Sequence, residues 1–281
     1  MKTLFYCSLL VLIWADMAPG VQAGPLGYAI TSGNSIGTIN NSTGSFHFLG
    51  CAPVCAPATA GGGIGVGPGG AIDVYDVNSE SLYNFNPATA GVSPIGNTGS
   101  AFSVFGGLGD GRLYGVDFNG DLYRVNGSTA ATTFVSHLLD FTPDGFVATS
   151  LAGDGTNLYF GYGAAPFAIV PHDETLYLVN PNTGAIATLG PVGIETIGGS
   201  GYIGGVLYGY SFLPVDDGMG GFLLASDSIY TLNTSTGAAT FLTTYDAQGL
   251  PIYGAIGTPE PGAVWVLGLG TACLAFWRRK P

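Results

Sequence analysis

The acidic residues with the most suggestive spacing lie in one short segment. Asp117-Phe-Asn119-Gly120-Asp121 places oxygen-bearing side chains at alternate positions, as in the first half of a calcium-binding loop. Its glycine comes one position early, and no acidic residue closes the loop at the twelfth position. Asn-Gly between two strands also favours a tight hairpin turn. A turn is the simpler interpretation, and Asp117, Asn119 and Asp121 stay candidate Ca²⁺ ligands; no other cofactor is expected.

Two pairs of acidic residues could also do chemistry. Asp76 and Asp117 stand near the ends of equivalent strands, where a pair of carboxylates could serve as acid and base in a hydrolase. Asp216 and Asp217 lie in Pro214-Val-Asp-Asp-Gly218, which we interpret as an exposed loop with a cation contact as the alternative.

The histidines and the glycine-rich motifs predict no catalytic site. His47, His137 and His172 are far apart in sequence, and solvated positions are the simpler interpretation. Residues 65–70 fit GxGxxG, but a strand rather than a helix follows, so the phosphate-binding helix N-terminus is missing.

Cys51 and Cys55 flank Ala-Pro-Val in a loop rich in proline and glycine. In an exported protein this spacing favours a local disulfide. Free thiols and a metal site are the alternatives, although His47 is the only histidine or further cysteine near them in sequence.

The charge of the chain excludes some partners. Residues 24–257 hold two arginines and sixteen carboxylates, a net charge of −14. Nucleic acids bind proteins through lysine and arginine that displace counterions, so we expect no nucleic-acid partner. Solubility outside the cell explains the acidity most simply, with binding of divalent cations as the alternative.

The first 23 residues have the order of a secretory signal. A charged start at Lys2 precedes an apolar run from Leu4 to Trp14, and small residues end the segment at Ala23. The run is too short for a membrane span. We predict a signal peptide at residues 1–23 and an exported body at residues 24–257.

The last 24 residues have three parts. Pro259-Glu260-Pro261 precedes an uncharged run from Gly262 to Trp277, and Arg278-Arg279-Lys280 follows. Sixteen helical residues extend about 24 Å, slightly less than the ~30 Å hydrocarbon core of a membrane. The basic cluster would stop transfer and stay on the cytoplasmic side, leaving the body outside.

This order resembles the PEP-CTERM sorting signal of Gram-negative bacteria. The resemblance covers residues 258–281, with Pro259, Glu260, Pro261, Arg278 and Arg279 as its motif residues. It implies a transmembrane helix, processing by the membrane protease exosortase, and a cell that makes exopolysaccharide. A plain tail anchor is the alternative. The tail predicts a location and leaves the activity of the body open.

A ten-residue pattern is repeated along the body at a spacing of about 45 residues. Each copy is a short alternating strand that ends in an Asn-x-x-Thr turn, in which the Asn and Thr side chains can bond nearby backbone. The asparagines are therefore turn-formers rather than ligands. They are Asn40, Asn86, Asn126, Asn180 and Asn233.

The repeats predict an all-β fold, a β-propeller of five four-stranded blades. A Leu-Tyr type strand precedes each copy and another strand follows it, and a glycine-rich strand precedes four of the units. The first unit lacks that strand, and residues 251–256 can supply it, which would close the ring and remove exposed strand edges. A β-sandwich or jelly roll is the alternative.

The glycine-rich strands, which should line the central channel, contain no Asp or Glu. Propeller hydrolases need carboxylates there, so the sequence favours a binding or structural protein of the cell surface, with exopolysaccharide as a candidate partner. The alternative is a carbohydrate-active or other hydrolase that uses Asp76 and Asp117.

The first testable prediction concerns the tail. Deleting residues 262–281 should move the exported protein from the membrane fraction to the soluble fraction, because this segment holds the apolar run and the basic stop. Fractionation of cells that express the full chain and the truncated chain measures the shift. A truncated protein that still sediments with membranes would contradict the prediction.

Overall fold

The protein is a five-bladed β-propeller in which each blade is a four-stranded antiparallel sheet. The computed structural model describes residues 26–52, 62–140, 146–164, 174–194, 196–216, 222–247 and 249–257. The predicted fold class and blade count are confirmed, and the sandwich and jelly-roll alternatives are wrong. The predicted signal peptide and sorting tail lie outside the described residues, among which no helix is long and apolar enough to cross a membrane.

The strands of each blade are given from the axis outwards. Blade 1 contains β20 (Ile252–Gly257), β1 (Leu26–Thr31), β2 (Ser35–Asn40) and β3 (Ser45–Cys51). Blade 2 contains β4 (Gly63–Val66), β5 (Ile72–Asp76), β6 (Ser81–Asn86) and β7 (Gly91–Asn97). Blade 3 contains β8 (Phe102–Gly107), β9 (Leu113–Asp117), β10 (Asp121–Val125) and β11 (Thr132–His137). Blade 4 contains β12 (Phe146–Gly153), β13 (Leu158–Ala164), β14 (Thr175–Val179) and β15 (Ile186–Pro191). Blade 5 contains β16 (Gly199–Ile203), β17 (Val206–Asp216), β18 (Phe222–Leu232) and β19 (Ala239–Thr244).

The ring closes as the sequence predicts. The last strand, β20, pairs antiparallel with the first, β1, so that Gly27 lies opposite Gly257 and Ala29 opposite Ala255. Blade 1 therefore contains strands from both ends of the propeller, and the ring cannot form until these ends meet. Residues 26 and 257 consequently lie on the same face of the ring.

Glycines let the inner strands approach one another closely. Each inner strand contacts the inner strands of both neighbouring blades. A Cβ on Gly106 would collide with the carbonyl oxygen of Leu151 in the next blade, and one on Gly201 would collide with the carbonyl oxygen of Ala255. Backbone therefore packs against backbone around the axis, which explains why these strands are rich in glycine.

The hydrophobic core is divided into five clusters, and each cluster joins side chains of two neighbouring blades. Between blades 2 and 3, the Tyr75 ring lies 5.1 Å from the Phe102 ring and 5.5 Å from the Phe105 ring. Burying one such side chain contributes about 1.5–3 kcal/mol. Most of this burial is lost if a neighbouring blade is absent, so the blades depend on the complete ring.

The repeated turns form as predicted. In all five, the Asn side-chain oxygen accepts the N–H of the residue two positions on, at 2.8–3.0 Å. The Thr hydroxyl oxygen accepts the N–H two positions after it, at 3.2–3.5 Å. The residue after the Thr has a left-handed backbone in each turn, with φ between 54° and 79°. These five left-handed residues are Gly44, Ala90, Ala130, Gly184 and Gly237.

The insertion of blade 5 differs from its prediction as a loop. β17 continues through Pro214 to Asp216, and β18 begins at Phe222, so Asp216 pairs with Phe222 in a long hairpin. Asp217 lies outside the described residues.

Two glycines on inner strands provide a matched test of the close packing. Gly106→Ala in β8 should lower the free energy of unfolding by about 1–3 kcal/mol, because the new methyl group meets the backbone of β12. Gly254→Ala in β20 should be neutral or slightly stabilising, since its Cβ meets its nearest atom, Ile64 Cγ2, at 3.4 Å. Denaturant unfolding compares the two variants, and equal destabilisation would contradict the proposed packing.

Candidate functional site

The candidate Ca²⁺ ligands lie in one turn, where N–H donors occupy both oxygens of Asp117. Asp117 Oδ1 accepts the backbone N–H groups of Asn119 and Asp121 at 2.8 and 2.9 Å, and Asp117 Oδ2 accepts Asn119 Nδ2 at 3.2 Å. A hairpin turn forms here, but its loop has three residues and only Gly120 among them has a positive φ, at 83°, so it is not the two-residue type I′ turn that Asn-Gly favours. Among the described residues, no three His, Cys, Asp or Glu side chains converge as metal ligands would.

Asp76, the other carboxylate of the hydrolase hypothesis, also stabilises a turn. It is 4% exposed, and its oxygens accept Asn34 Nδ2 at 2.9 Å and the Ser79 hydroxyl at 2.6 Å. The bond from Asn34 joins blade 1 to blade 2. Asp76 and Asp117 thus stand in corresponding turns of different blades. Each carboxylate accepts hydrogen bonds from groups around its own turn.

The histidines occupy unlike positions. His47 is exposed on β3, and His172 lies outside the described residues. His137 Nδ1 lies 2.7 Å from Asp121 Oδ1, and its Nε2 lies 3.2 Å from Asp140 Oδ1. The hydrogen bond that His137 donates to Asp121 raises the pKa of His137, so this exposed cluster tethers the end of β11 to the turn before β10.

Cys51 is disulfide-bonded at the end of β3. Its predicted partner, Cys55, lies outside the described residues, so the pairing stays a prediction.

The axis of the propeller is nearly filled. None of the five inner strands contains an Asp or Glu. They line a cavity of about 30 Å³, enough for about one water molecule, with Ile64, Leu151, Tyr202 and Ile256 among its walls. The chain leaves the described structure at Gly257, beside the mouth of this cavity.

A buried carboxyl that the sequence did not single out lies in blade 4. Glu174 is fully buried, and it accepts the Thr149 hydroxyl at 2.7 Å and the backbone N–H of Ile197 at 2.5 Å. Gly161 leaves the space that its carboxyl fills. Burial raises the pKa of Glu174 to about 8. Because Ile197 precedes β16, this carboxyl holds the connection between blades 4 and 5.

Burial also raises the pKa of two aspartates. Burial raises the pKa of Asp73 to about 6, and its Oδ2 has no hydrogen-bond partner. Burial and the nearby charge of Asp246 raise the pKa of Asp227 to about 6. Neither position has a sequence signal, since each looks like an ordinary polar residue of an alternating strand.

Exposed aromatic side chains lie on the rim of the propeller, at corresponding positions of the outer strands. Phe48 on β3, Phe134 on β11 and Phe241 on β19 are 42%, 55% and 56% exposed. The tyrosine opposite the phenylalanine packs edge-on against it in two blades, with centroids 5.8 Å apart in Tyr123–Phe134 and in Tyr230–Phe241.

A bulge in each outer strand produces this exposure. The register shifts once in every pairing of the third strand with the outer strand. The extra residue is aliphatic in each case, and the phenylalanine, where present, comes just before it. Four of these aliphatic side chains pack against the core between their blade and the next, while that of Leu242 is 41% exposed. These extra residues are Leu49, Ile95, Val135, Leu189 and Leu242.

Comparison with known proteins identifies the tail. The PEP-CTERM protein-sorting motif matches residues 258–280, as the sequence analysis predicted. This motif is the recognition signal of exosortase, and it marks the chain as an exported, surface-sorted protein that carries a propeller scaffold. No curated protein matches the chain.

Among the solved structures that are similar to this chain, one supports the fold, and it supports the fold alone. A chain of a nidogen/laminin complex matches with a TM-score of 0.51 and 9% identity, over 84% of this chain and 98% of that one. The extracellular domain of a one-component system from B. thetaiotaomicron has a TM-score of 0.39 and 13% identity, over 80% and 31% of the two chains. Kuenenia stuttgartiensis hydrazine synthase has a TM-score of 0.40 and 13% identity, over 82% and 71%.

The buried carboxyl of Glu174 predicts how stability depends on pH. Its pKa of about 8 in the folded protein exceeds its ordinary value of 4.5, so the folded state holds the extra proton between these values. The free energy of unfolding should therefore fall as pH rises from about 4.5 to about 8, by at most ~1.4 kcal/mol per pH unit from this group.

Glu174→Gln should flatten this decline, because glutamine does not ionise. Glu80→Gln, the same change in a surface turn, is the control and should leave the slope unchanged. Urea unfolding at pH 5, 6.5 and 8 measures the slopes. The same slope in wild type and Glu174→Gln would show that the buried carboxyl does not hold its proton.

Proposed function

We propose that this chain is a non-catalytic binding protein of the cell surface, which associates with exopolysaccharide through the aromatic rim of its propeller. The rim consists of Phe48, Phe134 and Phe241 with the opposing Tyr123 and Tyr230. Sorting by exosortase places it where exopolysaccharide is exported, and the apolar tail holds it at the membrane before processing.

The repeated Tyr–Phe pairs are the observation that carries this proposal. One exposed phenylalanine is ordinary, but its recurrence at the corresponding position of three outer strands gives a repeated apolar surface, and such surfaces often mark binding sites. A sugar ring presents a flat face of C–H groups, which packs well against an aromatic face. Tyrosine adds a hydroxyl that can bond to sugar hydroxyls.

The repetition of the rim suits a repeating ligand. Neighbouring units of one polymer can occupy the rim positions of several blades, and each further contact forms at a high effective concentration. Weak contacts at single aromatic pairs can thereby give firm binding. This is the property expected of a protein that stays within a polysaccharide matrix.

The position of the tail leaves the rim accessible. Gly257 lies at the axis, beside the mouth of the central cavity, and residue 26 lies on the same face. A tail that leaves from the axis would direct this face towards the membrane and the rim sideways. No specific observation favours the hydrolase alternative, since Asp76 and Asp117 stabilise separate turns.

The test compares exposed phenylalanines on and off the rim. Phe134→Ala with Phe241→Ala removes both aromatic pairs, and Phe118→Ala is a control of equal exposure in a turn between strands, at 55%. Each full-length protein is produced in a Gram-negative host that has an exosortase and makes exopolysaccharide. The purified exopolysaccharide of that host is then used in co-sedimentation.

We expect the double variant to lose binding several-fold, while Phe118→Ala binds as wild type does. Surface substitutions of this kind change stability by about 0.5 kcal/mol or less, so thermal unfolding should confirm that all three proteins are folded. Equal binding by the wild type and the double variant would overturn the role of the rim. Cleavage of the polymer by the wild type would instead favour the hydrolase alternative.

A further inference from the structure

The two arginines of the propeller lie together. Arg112 and Arg124 are the only basic residues apart from histidine between residues 24 and 257, in a segment with a net charge of −14. Both line a single pocket of about 350 Å³ on the face of the ring where the tail leaves. We call it the arginine pocket; its other walls include Pro68, Gly111 and Ser128.

The surroundings of Arg112 hold its side chain in place. Its Nε and Nη2 lie 2.8 and 2.6 Å from Asp110 Oδ2, and its Nη2 also donates to the carbonyl oxygen of Gly155 at 3.1 Å. Asp110 offsets the charge of Arg112, and the bond to Gly155 anchors it to blade 4. Arg112 is therefore a fixed wall of the pocket.

Arg124 is the available cation. It is exposed on β10, opposite Thr133 of β11, and no hydrogen bond or ion pair joins its side chain to any other described residue. The charges of Arg112 and Asp110 offset each other. The arginine pocket therefore keeps one positive charge, that of Arg124. The buried carboxyl of Asp73 is not among the walls of the pocket, although a Cβ on the wall residue Gly127 would lie 2.9 Å from its Oδ2.

The other blades show that this charge is specific to blade 3. The residues that correspond to Arg124 in the ten-residue repeat are uncharged, and so are those that correspond to Arg112 before the second strands of blades 2, 4 and 5. Charge at these positions is thus not needed to build a blade. The uncharged residues are Thr38, Asn84, Leu178 and Thr231 for Arg124, and Ala71, Asn157 and Val206 for Arg112.

The pocket adjoins the rim. Arg124 follows Tyr123 on β10, and Thr133 precedes Phe134 on β11, so one pair of strands carries both the aromatic pair and the pocket residues. Successive side chains of a strand point to opposite faces. A polymer that crosses the edge of blade 3 can therefore reach the aromatic pair and the arginine pocket together.

We propose that the arginine pocket binds the carboxylate of an acidic sugar, so that the ligand of the propeller is a uronate-bearing polysaccharide. A pocket of this volume suits a single sugar ring, and an arginine fork pairs with a carboxylate through two parallel hydrogen bonds. Ser128 and Thr133 place hydroxyls beside it for the sugar hydroxyls. This inference rests on the proposed association with exopolysaccharide.

The experiment uses polygalacturonate and its fully methyl-esterified form as probes, with the full-length protein. Arg124→Gln should weaken binding to polygalacturonate by roughly 10-fold or more, because a charge-assisted bond is lost. It should leave binding to the esterified polymer unchanged. Arg124→Lys keeps the charge without the fork and should lie between wild type and Arg124→Gln.

The outcomes separate this inference from the proposed function. If wild type binds both polymers alike and Arg124→Gln does the same, the carboxylate site is wrong and rim binding stands. If wild type binds neither of these nor the polysaccharide of the host, the proposed function fails. Binding to vesicles of anionic phospholipid that depends on Arg124, with no preference for the carboxylated polymer, would identify a membrane phosphate as the ligand and overturn the inference.

Discussion

The backbone-to-backbone contact of the inner strands is the constraint on which the structure depends. Five blades leave a narrow axis, and Gly106 and Gly201 stand where any Cβ would strike the neighbouring backbone. These glycines raise the entropic cost of folding, because glycine loses more conformational entropy on folding than any other residue. Blades 1 and 5 have both of their neighbours only when β20 pairs with β1, so the burial that offsets this cost is complete only in the closed ring.

The repeated turn solves a second packing problem. Its left-handed residue lies against the bulged outer strand of the preceding blade: a Cβ on Gly44 would collide with Thr244, and one on Gly184 with Ser136. Only glycine or alanine occupies this position. The Asn and Thr hydrogen bonds therefore do more than reverse the chain, because they hold a small residue in a conformation that fits the next blade. At Ala90 and Ala130 the conformation costs about 1 kcal/mol or more.

The features that sequence could predict are those written into local, repeated patterns. The period of the repeat predicted the number of blades, and the positions of Asn and Thr predicted the turns. The features that it missed depend on distant contacts. Glu174 reads as a surface residue before a strand, and it is buried because Gly161 and the backbone of Ile197 surround it in space. The paired strands at Asp216 and Phe222 were missed for a different reason, since Asp-Asp-Gly is a strong turn signal.

The same packing limits where binding can occur. The axis has room for about one water, and the surfaces between blades are filled with apolar side chains, which leaves the rim and the two faces. On these surfaces the repeat is free to vary, because a change there disturbs no neighbouring blade. Blade 3 is the blade in which an aromatic pair, a charged pocket wall and an unpaired arginine coincide among the described residues. In a body of net charge −14 the rest of the surface repels an anionic group, so a carboxylate can be held only where this arginine stands.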